Sequence, residues 1–359
     1  MEHRVGFIGF GGMGGGYHYD VAADRPDVGD YKPVAAYDVQ EEQRKIAAEK
    51  GLKVYDNLED FLASDEFDIV VVATPNQYHC DLTCRALKAG KHVICEKPAA
   101  MSPEEFQLMM DTAKETGKLL CVHQNRRTDR DFKIAKEIIE KGMIGTPYMV
   151  EANIVDNCNG YMFGWRSHPD QGGGMLLDWG VHVLDQILYL IQEPIKSVYA
   201  TVRNINGCLV DSYSKIIMTF ESGLVAQMVA SRCPHTPNMP KWSVSGDKGA
   251  FSIDRTCGPK AEVTRMINER FETRDELVYE GNGVPVIRPT QYLEADYETF
   301  TYPPEGQEVV QDWAELYKNM LNAIDGKEEL IVKPEQVLRV LKVIEAAFES
   351  SKTGKSVQF

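Results

Sequence analysis

Two stretches of this 359-residue chain hold ionisable side chains at spacings suited to proton transfer. In "GGGMLLDWGVHVLDQILYL", a helix over Leu176 to Ile191 puts Asp178 and His182 four residues apart on one face, with Asp185 three further on. An imidazole of ordinary pKa accepts a proton near neutral pH, and a carboxylate beside it can orient the ring. The same Asp–His spacing also makes a plain helical salt bridge. Leu177, Val181, Leu184 and Leu188 form the apolar stripe that would anchor this helix. Gly172, Gly173 and Gly174 just before it allow close approach by another backbone or a ligand. In "HVICEKPAAMSPEEF", Glu96, Lys97 and Pro98 end a short apolar run, and "VVVATPNQYH" ends a similar run at Thr74, Pro75 and Asn76. Pro75 stops that strand, and Asn76 can cap the helix after it. No metal is expected, because no further His or carboxylate cluster completes a coordination set.

The elements that must bring these side chains together start near the first residue. "GFIGFGGMGGGYH" follows a short apolar strand, and Met13 to Ala23 can open a helix. Gly9, Gly11 and Gly14 therefore form G-x-G-x-x-G in the strand–turn–helix setting that binds a dinucleotide pyrophosphate at a helix start. The next strand, Pro33 to Tyr37, ends at Asp38, the acidic residue such a site uses for a ribose hydroxyl. Helices then alternate with continuously apolar strands, Lys53–Tyr55, Asp68–Thr74, His92–Glu96 and Leu119–His123. This predicts a doubly wound parallel sheet buried on both faces, with its ligand crevice at the carboxyl ends of the strands. Lys97 would point into that crevice.

From Asn125 the texture changes. A helix over Phe132–Lys141 precedes an alternating strand from Tyr148, and five short strands follow the Leu176–Ile191 helix. These predict a largely antiparallel open sheet with helices on one face, the other face being available to a second subunit. The expected division is a dinucleotide-binding domain over 1–124 and a second α/β domain over 125–359. Glu280 to Gly306 is polar, tyrosine-rich and without clear periodicity: a lid, an arm to a neighbouring subunit, or a surface loop. Helices over Val309–Ile324 and Glu335–Ser351 close the chain, able to pack back on the first domain.

A formal charge of −15 argues against a nucleic-acid partner. The eight cysteines, Cys80, Cys84, Cys95, Cys121, Cys158, Cys208, Cys233 and Cys257, are scattered and read as reduced cytoplasmic thiols. The amino end lacks the basic and apolar regions of a secretory signal. The most apolar helix carries Asp178, His182 and Asp185, so it does not read as a membrane span.

Taken in order, Gly9-Phe-Gly11-Gly12-Met13-Gly14, Asp38, Thr74-Pro75-Asn76, Glu96-Lys97-Pro98, Asn125-Arg126-Arg127, Trp165-Arg166, Gly172-Gly173-Gly174 and Asp178-x-x-x-His182 resemble the Gfo/Idh/MocA oxidoreductases over essentially the whole chain. The resemblance implies an N-terminal Rossmann domain and a C-terminal α/β domain whose sheet often makes oligomer contacts. It implies catalysis by Lys97, Asp178 and His182. Cofactor contacts fall to Gly9, Gly11, Gly12, Met13, Gly14, Asp38, Thr74, Pro75, Asn76, Glu96 and Lys97. Substrate contacts fall to Asn125, Arg126, Trp165, Arg166, Asp178 and His182. The expected reaction moves a hydride between NAD, with NADP disfavoured by Asp38, and a secondary hydroxyl of a sugar, glycoside or cyclic polyol. A redox-neutral enzyme with tightly held NAD is the alternative, and a nucleotide sensor without turnover a weaker one. One departure stands out: relatives commonly carry His three residues after the last motif glycine, where this chain has Tyr17, with His18 next.

Overall fold

The computed structural model describes residues 3–24, 28, 31–156, 158–233, 239–254, 260–279, 281 and 283–359. The first sheet is built from β1 (His3–Ile8), β2 (Tyr31–Tyr37), β3 (Lys53–Tyr55), β4 (Ile69–Val72), β5 (His92–Cys95) and β6 (Leu120–Val122). All pair in parallel, in the order β3-β2-β1-β4-β5-β6. Every residue of β4 is buried, as expected of a strand covered by helices on both faces. The chain order reverses direction between β1 and β4, and that switch point opens the crevice. Helix Pro103–Thr116 illustrates the local logic: Ser102 Oγ accepts from Glu105 N at 3.2 Å, proline takes the first position, and Gly117 ends the helix at φ 66°.

The second sheet contains β7 (Pro147–Val155), β8 (Ile195–Arg203), β9 (Tyr213–Phe220), β10 (Val225–Ser231), β11 (Trp242–Gly246), β12 (Gly249–Ile253), β13 (Ala261–Tyr279), β14 (Pro285–Tyr302) and β15 (Val357–Gln358). Their order is β14-β13-β12-β11-β7-β10-β9-β8-β15, antiparallel except for the β10–β7 pair. Helices Arg130–Glu140, Val181–Leu190 and Pro334–Thr353 cover one face. The other face stays open, with Tyr199 44% exposed on it.

Three expectations change. Most of Glu280 to Gly306 is neither lid nor loop. Cross-strand pairing carries β13 and β14 far beyond the sheet as a two-stranded ribbon, and periodicity failed to mark it because both faces meet solvent. Glu280 itself lies outside the described residues. The helix expected from Val309 begins at Glu315, where Asp312 collects the amide protons of Ala314 and Glu315. Its buried side chains, Tyr317, Met320 and Leu321, pack against Val5, Phe7 and Val71 of the first sheet. The glycine-rich segment starts not as an α-helix but as a π-helical turn, Gly14–His18, followed by a short α-helix, Tyr19–Asp24. Among the described residues no helix is long and apolar enough to cross a membrane, and every described cysteine is a free thiol. Cys257 lies outside them.

Arg127 locks the second half together. Its guanidinium makes a two-pronged pair with Asp185, at 2.7 and 2.6 Å, and reaches the Ile331 carbonyl and Gln336 at 3.0 and 2.8 Å. Both charged side chains are almost fully buried. Asp185, the last acidic residue of the helical stripe, is thereby a structural anchor. Removing one partner leaves the other charged and dry, so Arg127→Met should cost about 3–5 kcal/mol of stability in chemical denaturation, and Asp185→Leu added to it should restore most of the loss. A single variant within about 1 kcal/mol of wild type would show that the pair anchors nothing.

Candidate active site

Lys97 leaves the end of β5 and donates from Nζ to the Asp178 carbonyl at 2.7 Å and to Asp178 Oδ1 at 3.0 Å. Arg166 Nε donates to the same Oδ1 at 3.0 Å. Burial pushes the Asp178 carboxyl up, but these two cations outweigh it and hold the group below the usual carboxylate range. Asp178 sits in a second π-helical turn, Leu176–Gly180, which leads directly into helix Val181–Leu190. A π turn takes more residues per revolution than an α turn, so the four-residue spacing no longer brings Asp178 and His182 together. The ring of His182 is held instead by Gln124, with Nδ1 3.1 Å from Oε1. This corrects the expectation that Asp178 orients the imidazole. An amide oxygen only accepts, so Nδ1 carries the proton and Nε2 keeps its lone pair. Burial pushes His182 well below the usual imidazole range, and the charges of Lys97 and Arg126 push the same way.

Lys97, Asp178, His182, Glu96, Asn125, Arg126, Arg166 and Met13 line one cleft of about 420 Å³. Its remaining walls, Tyr17, Phe163, Trp179, Arg232 and Trp313, were not among the expected site residues. The Arg126 guanidinium lies 5.0 Å from the Trp179 ring and 5.5 Å from that of Trp313. Trp179 had a signal, since it follows Asp178 directly; nothing local marks Trp313 or Arg232. Trp165 does not line the cleft and instead lies 4.4 Å from the Arg166 guanidinium.

The glycines at 172–174 serve the protein's own packing. A side chain on Gly172 would meet Met101 at 2.5 Å, one on Gly173 the Arg166 carbonyl at 2.2 Å, and one on Gly174 the Asp211 carboxylate at 2.1 Å. Asn76 does not cap its helix but donates to the Gly172 carbonyl at 2.8 Å, tying the end of β4 to this turn. Asp211 in turn accepts from Leu176 N at 2.8 Å, at the entry to the π turn. Burial pushes its carboxyl up to about 6.

Around the first glycine loop, a Cβ on Gly9 would lie 2.5 Å from the Ala73 carbonyl and 3.1 Å from the Thr74 methyl. One on Gly14 would lie 1.9 Å from the Gly9 carbonyl. Gly11 and Gly12, by contrast, face open space with nothing within 4 Å, the gap a pyrophosphate needs to reach the backbone. Asp38 Oδ2 accepts from Phe10 N at 2.7 Å and Oδ1 from Gln40 N at 2.8 Å, which holds the carboxylate beside the loop. Pro75 opens the turn Asn76–Tyr78 just beyond β4. The residues present thus fit a dinucleotide.

Behind Lys97 the π turn at Gly14–His18 solves the displaced histidine. Its wider winding brings His18 Nε2 to 2.9 Å from Glu96 Oε1, on which His123 Nδ1 also converges at 2.7 Å, while Tyr17 is left facing the cleft. Burial pushes the Glu96 carboxyl up, yet the two histidines outweigh this and hold it well below its usual range. The absence of a His and carboxylate cluster expected from the sequence is therefore corrected: His18, Glu96 and His123 come together in the fold. One nitrogen of each ring, His18 Nε2 and His123 Nδ1, is engaged with the same Glu96 oxygen, so the trio stands as a hydrogen-bonded group.

Residues 3–124 match the model of the oxidoreductase family with an NAD-binding Rossmann fold, and residues 132–252 that of the GFO/IDH/MocA C-terminal domain. The chain belongs to the Gfo/Idh/MocA family. This member is 35% identical over 363 residues to the D-glucoside 3-dehydrogenase of Escherichia coli, covering 99% of this chain and 97% of that one. It is 26% identical over 358 residues to the scyllo-inositol 2-dehydrogenase (NADP(+)) IolW of Bacillus subtilis, covering 99% and 95%. The crystal structure of an NAD-binding protein from Listeria innocua superposes with a TM-score of 0.83 at 35% identity, over 100% of this chain and 97% of that one. The fold expected of the family, a parallel Rossmann sheet followed by a largely antiparallel one, is the fold observed.

The surroundings of His182 carry a direct consequence. An NMR titration of its ring protons should show the neutral form persisting from pH 8 to well below 6.5, whereas a midpoint at or above 6.5 would contradict the burial and the adjacent cations.

Proposed function

We propose that this oxidoreductase takes a hydride from a secondary hydroxyl of a sugar, glycoside or cyclic polyol, or returns it to the corresponding ketone, in a reducing cytoplasm. The observation carrying this reading is the convergence of Lys97, Asp178 and a neutral His182 in one cleft at the carboxyl ends of β4 and β5, beside the glycine loop. When bound there, the nicotinamide supplies the hydride acceptor. His182 Nε2 takes the hydroxyl proton, with Gln124 holding the ring and its tautomer. Lys97 offers its ammonium to the oxygen as charge develops, and Asp178 positions that ammonium. Arg126, Arg166 and Asn125 supply donors for neighbouring hydroxyls, which suits a polyhydroxylated substrate. The similar proteins named for D-glucoside and scyllo-inositol oxidation support the substrate class.

NAD rather than NADP is the proposed cofactor. The Asp38 carboxylate would accept from a ribose diol and repel a phosphate. Arg44, the nearest cation in sequence, already donates to the Asp38 carbonyl at 2.7 Å and the Val39 carbonyl at 3.1 Å. Fluorescence titration should find NADH binding more tightly than NADPH, and the reverse order would sink the assignment.

The division of labour is open to a direct test. With the best substrate from a panel of D-glucosides and inositols, His182→Ala should lower kcat by roughly 10²–10⁴, the usual range for a positioned base, while NADH still binds through the Gly9–Gly14 loop. If Lys97 were the base and His182 only gripped a hydroxyl, His182→Ala would raise KM and leave kcat nearly intact. Turnover without net consumption of NAD would favour the redox-neutral variant of the same chemistry.

A further inference from the structure

The π turn Leu176–Gly180 lacks a cap of its own. Met175 at its head caps nothing with its side chain, and the three residues before it are glycines. The first amide protons of a helical run have no partner within it and need acceptors from elsewhere. Asp211, from the segment leading into β9, takes two of them: its carbonyl accepts from Met175 N at 2.9 Å and its Oδ2 from Leu176 N at 2.8 Å. Gly174, at φ 116°, makes room for this, because a Cβ there would stand 2.1 Å from Asp211 Oδ1. Two residues into the capped turn, Asp178 gives its N–H to the Gly174 carbonyl at 3.0 Å and its carboxylate to Lys97.

A charged cap is costly in this place. Among the described residues no cation pairs with Asp211, and burial raises its carboxyl from 3.8 to about 6, opposed only by the backbone amides it accepts from. The fold thus favours the protonated group, and this contribution to stability is lost as pH rises through that window. A neutral serine or asparagine cap would avoid the cost. What the charge adds is strength, since a carboxylate accepts an amide proton roughly twice as strongly as a neutral oxygen and suits the positive end of a helix. The charged side chains nearby leave the balance alone: Glu345 and Lys352 across the groove behind the turn and Arg203 at the end of β8 are exposed, and Arg166 is turned to Asp178. That groove, about 670 Å³ and lined also by Leu177, Met101 and Phe348, shares no residue with the active-site cleft, so protons reach Asp211 without passing the cleft.

We propose that Asp211 is a positioning residue for the oxidation proposed above: through the turn it caps, it holds Asp178 where that carboxylate aims Lys97 at the reacting oxygen. This rests on the proposed reading of the cleft. Discharging Asp211 slackens the turn, so kcat falls as pH drops through about 6. The reacting groups themselves do not produce that limb, because Asp178 stays ionised and His182 neutral through the same range. Asp129, also pushed up by burial, contacts Arg126, Lys241 and Trp313 rather than the turn.

Steady-state kinetics of Asp211→Asn from pH 5 to 9, with the best D-glucoside or inositol, tests it. Asparagine keeps the size and an acceptor oxygen but has no charge to lose. At pH 8 its kcat should fall about tenfold with KM and NADH affinity within about threefold, since a displaced catalytic group costs rate rather than binding. The wild-type limb near pH 6 should be missing from the variant, whereas Glu345→Gln with Lys352→Gln should keep both the limb and kcat. A kcat for Asp211→Asn within about twofold of wild type at pH 8, or a limb that persists in it, overturns the proposal. Should the variant fail to fold, hydrogen exchange of the wild type decides: protection factors at 175, 176 and 178 that drop between pH 8 and pH 5 support it, and equal protection at both refutes it. A wild type that turns over no member of the panel counts against the proposed oxidation instead, and the same exchange measurement then decides whether ionised Asp211 holds the turn.

Discussion

Everything at this site depends on one long side chain crossing from one sheet to the other. Lys97 stands at the end of β5 in the first sheet, and its ammonium is spent on the carbonyl and carboxylate of Asp178, which the helical layer of the second sheet presents. An ion pair largely shielded from water is worth having only if both ends are held still, because a loosened partner leaves a charge in a poor solvent. The surroundings supply that rigidity from both sides. Glu96, the residue before Lys97, is fixed by His18 and His123, and His18 is backed by Tyr317. On the far side the Asp178 turn is pinned by Asp211, by the close-packed glycines at 172–174 and by Asn76 reaching across from β4.

Both anchors use the same backbone device. Each key helix opens with a π-helical turn, Gly14–His18 before Tyr19–Asp24 and Leu176–Gly180 before Val181–Leu190. Such turns cost hydrogen-bond geometry and cluster at functional positions, because one widened turn re-aims every side chain upstream of it. In the first, the widened turn delivers His18 to Glu96 and leaves Tyr17 facing the cleft. In the second it parts Asp178 from His182, giving the carboxylate to Lys97 and the imidazole to Gln124. Gln124 and His123 both follow β6, so the close of the first sheet fixes Glu96 and the imidazole together.

This explains which features were legible in the sequence. The parallel sheet was, because strands such as Ile69–Val72 are apolar on both faces and alternate with helices, whereas the meeting of Lys97, Asp178 and His182 in one cleft was expected from the resemblance alone, since no local pattern links the strand end to the distant helix. Pairwise contacts were not. The i, i+4 rule that joined Asp178 to His182 assumes α geometry, and no residue type announces a π turn. Asn76 looked like a local cap because its partner, the Gly172 carbonyl, is a backbone atom from the other half of the chain. His18 and His123 were invisible as a pair, since nothing in either neighbourhood refers to the other. The ribbon escaped because period-two alternation betrays a strand only when one face is buried within the same chain.

The electrostatics of the cleft then follow from its composition. In a chain of net charge −15, four cations, Lys97, Arg126, Arg166 and Arg232, line this one space against two carboxylates, Glu96 and Asp178. Glu96 is hydrogen-bonded by two histidines behind the wall, and Arg126 and Arg232 also pair with Asp129 and Asp156. The two titratable partners are driven apart: Lys97 and Arg166 keep Asp178 ionised against its burial, and burial, helped by Lys97 and Arg126, keeps His182 neutral. Lys97 contributes to both effects at once. Under the proposed chemistry, an unprotonated imidazole and a fixed ammonium would face the substrate hydroxyl together, and Lys97 contributes to both conditions beside the burial of His182.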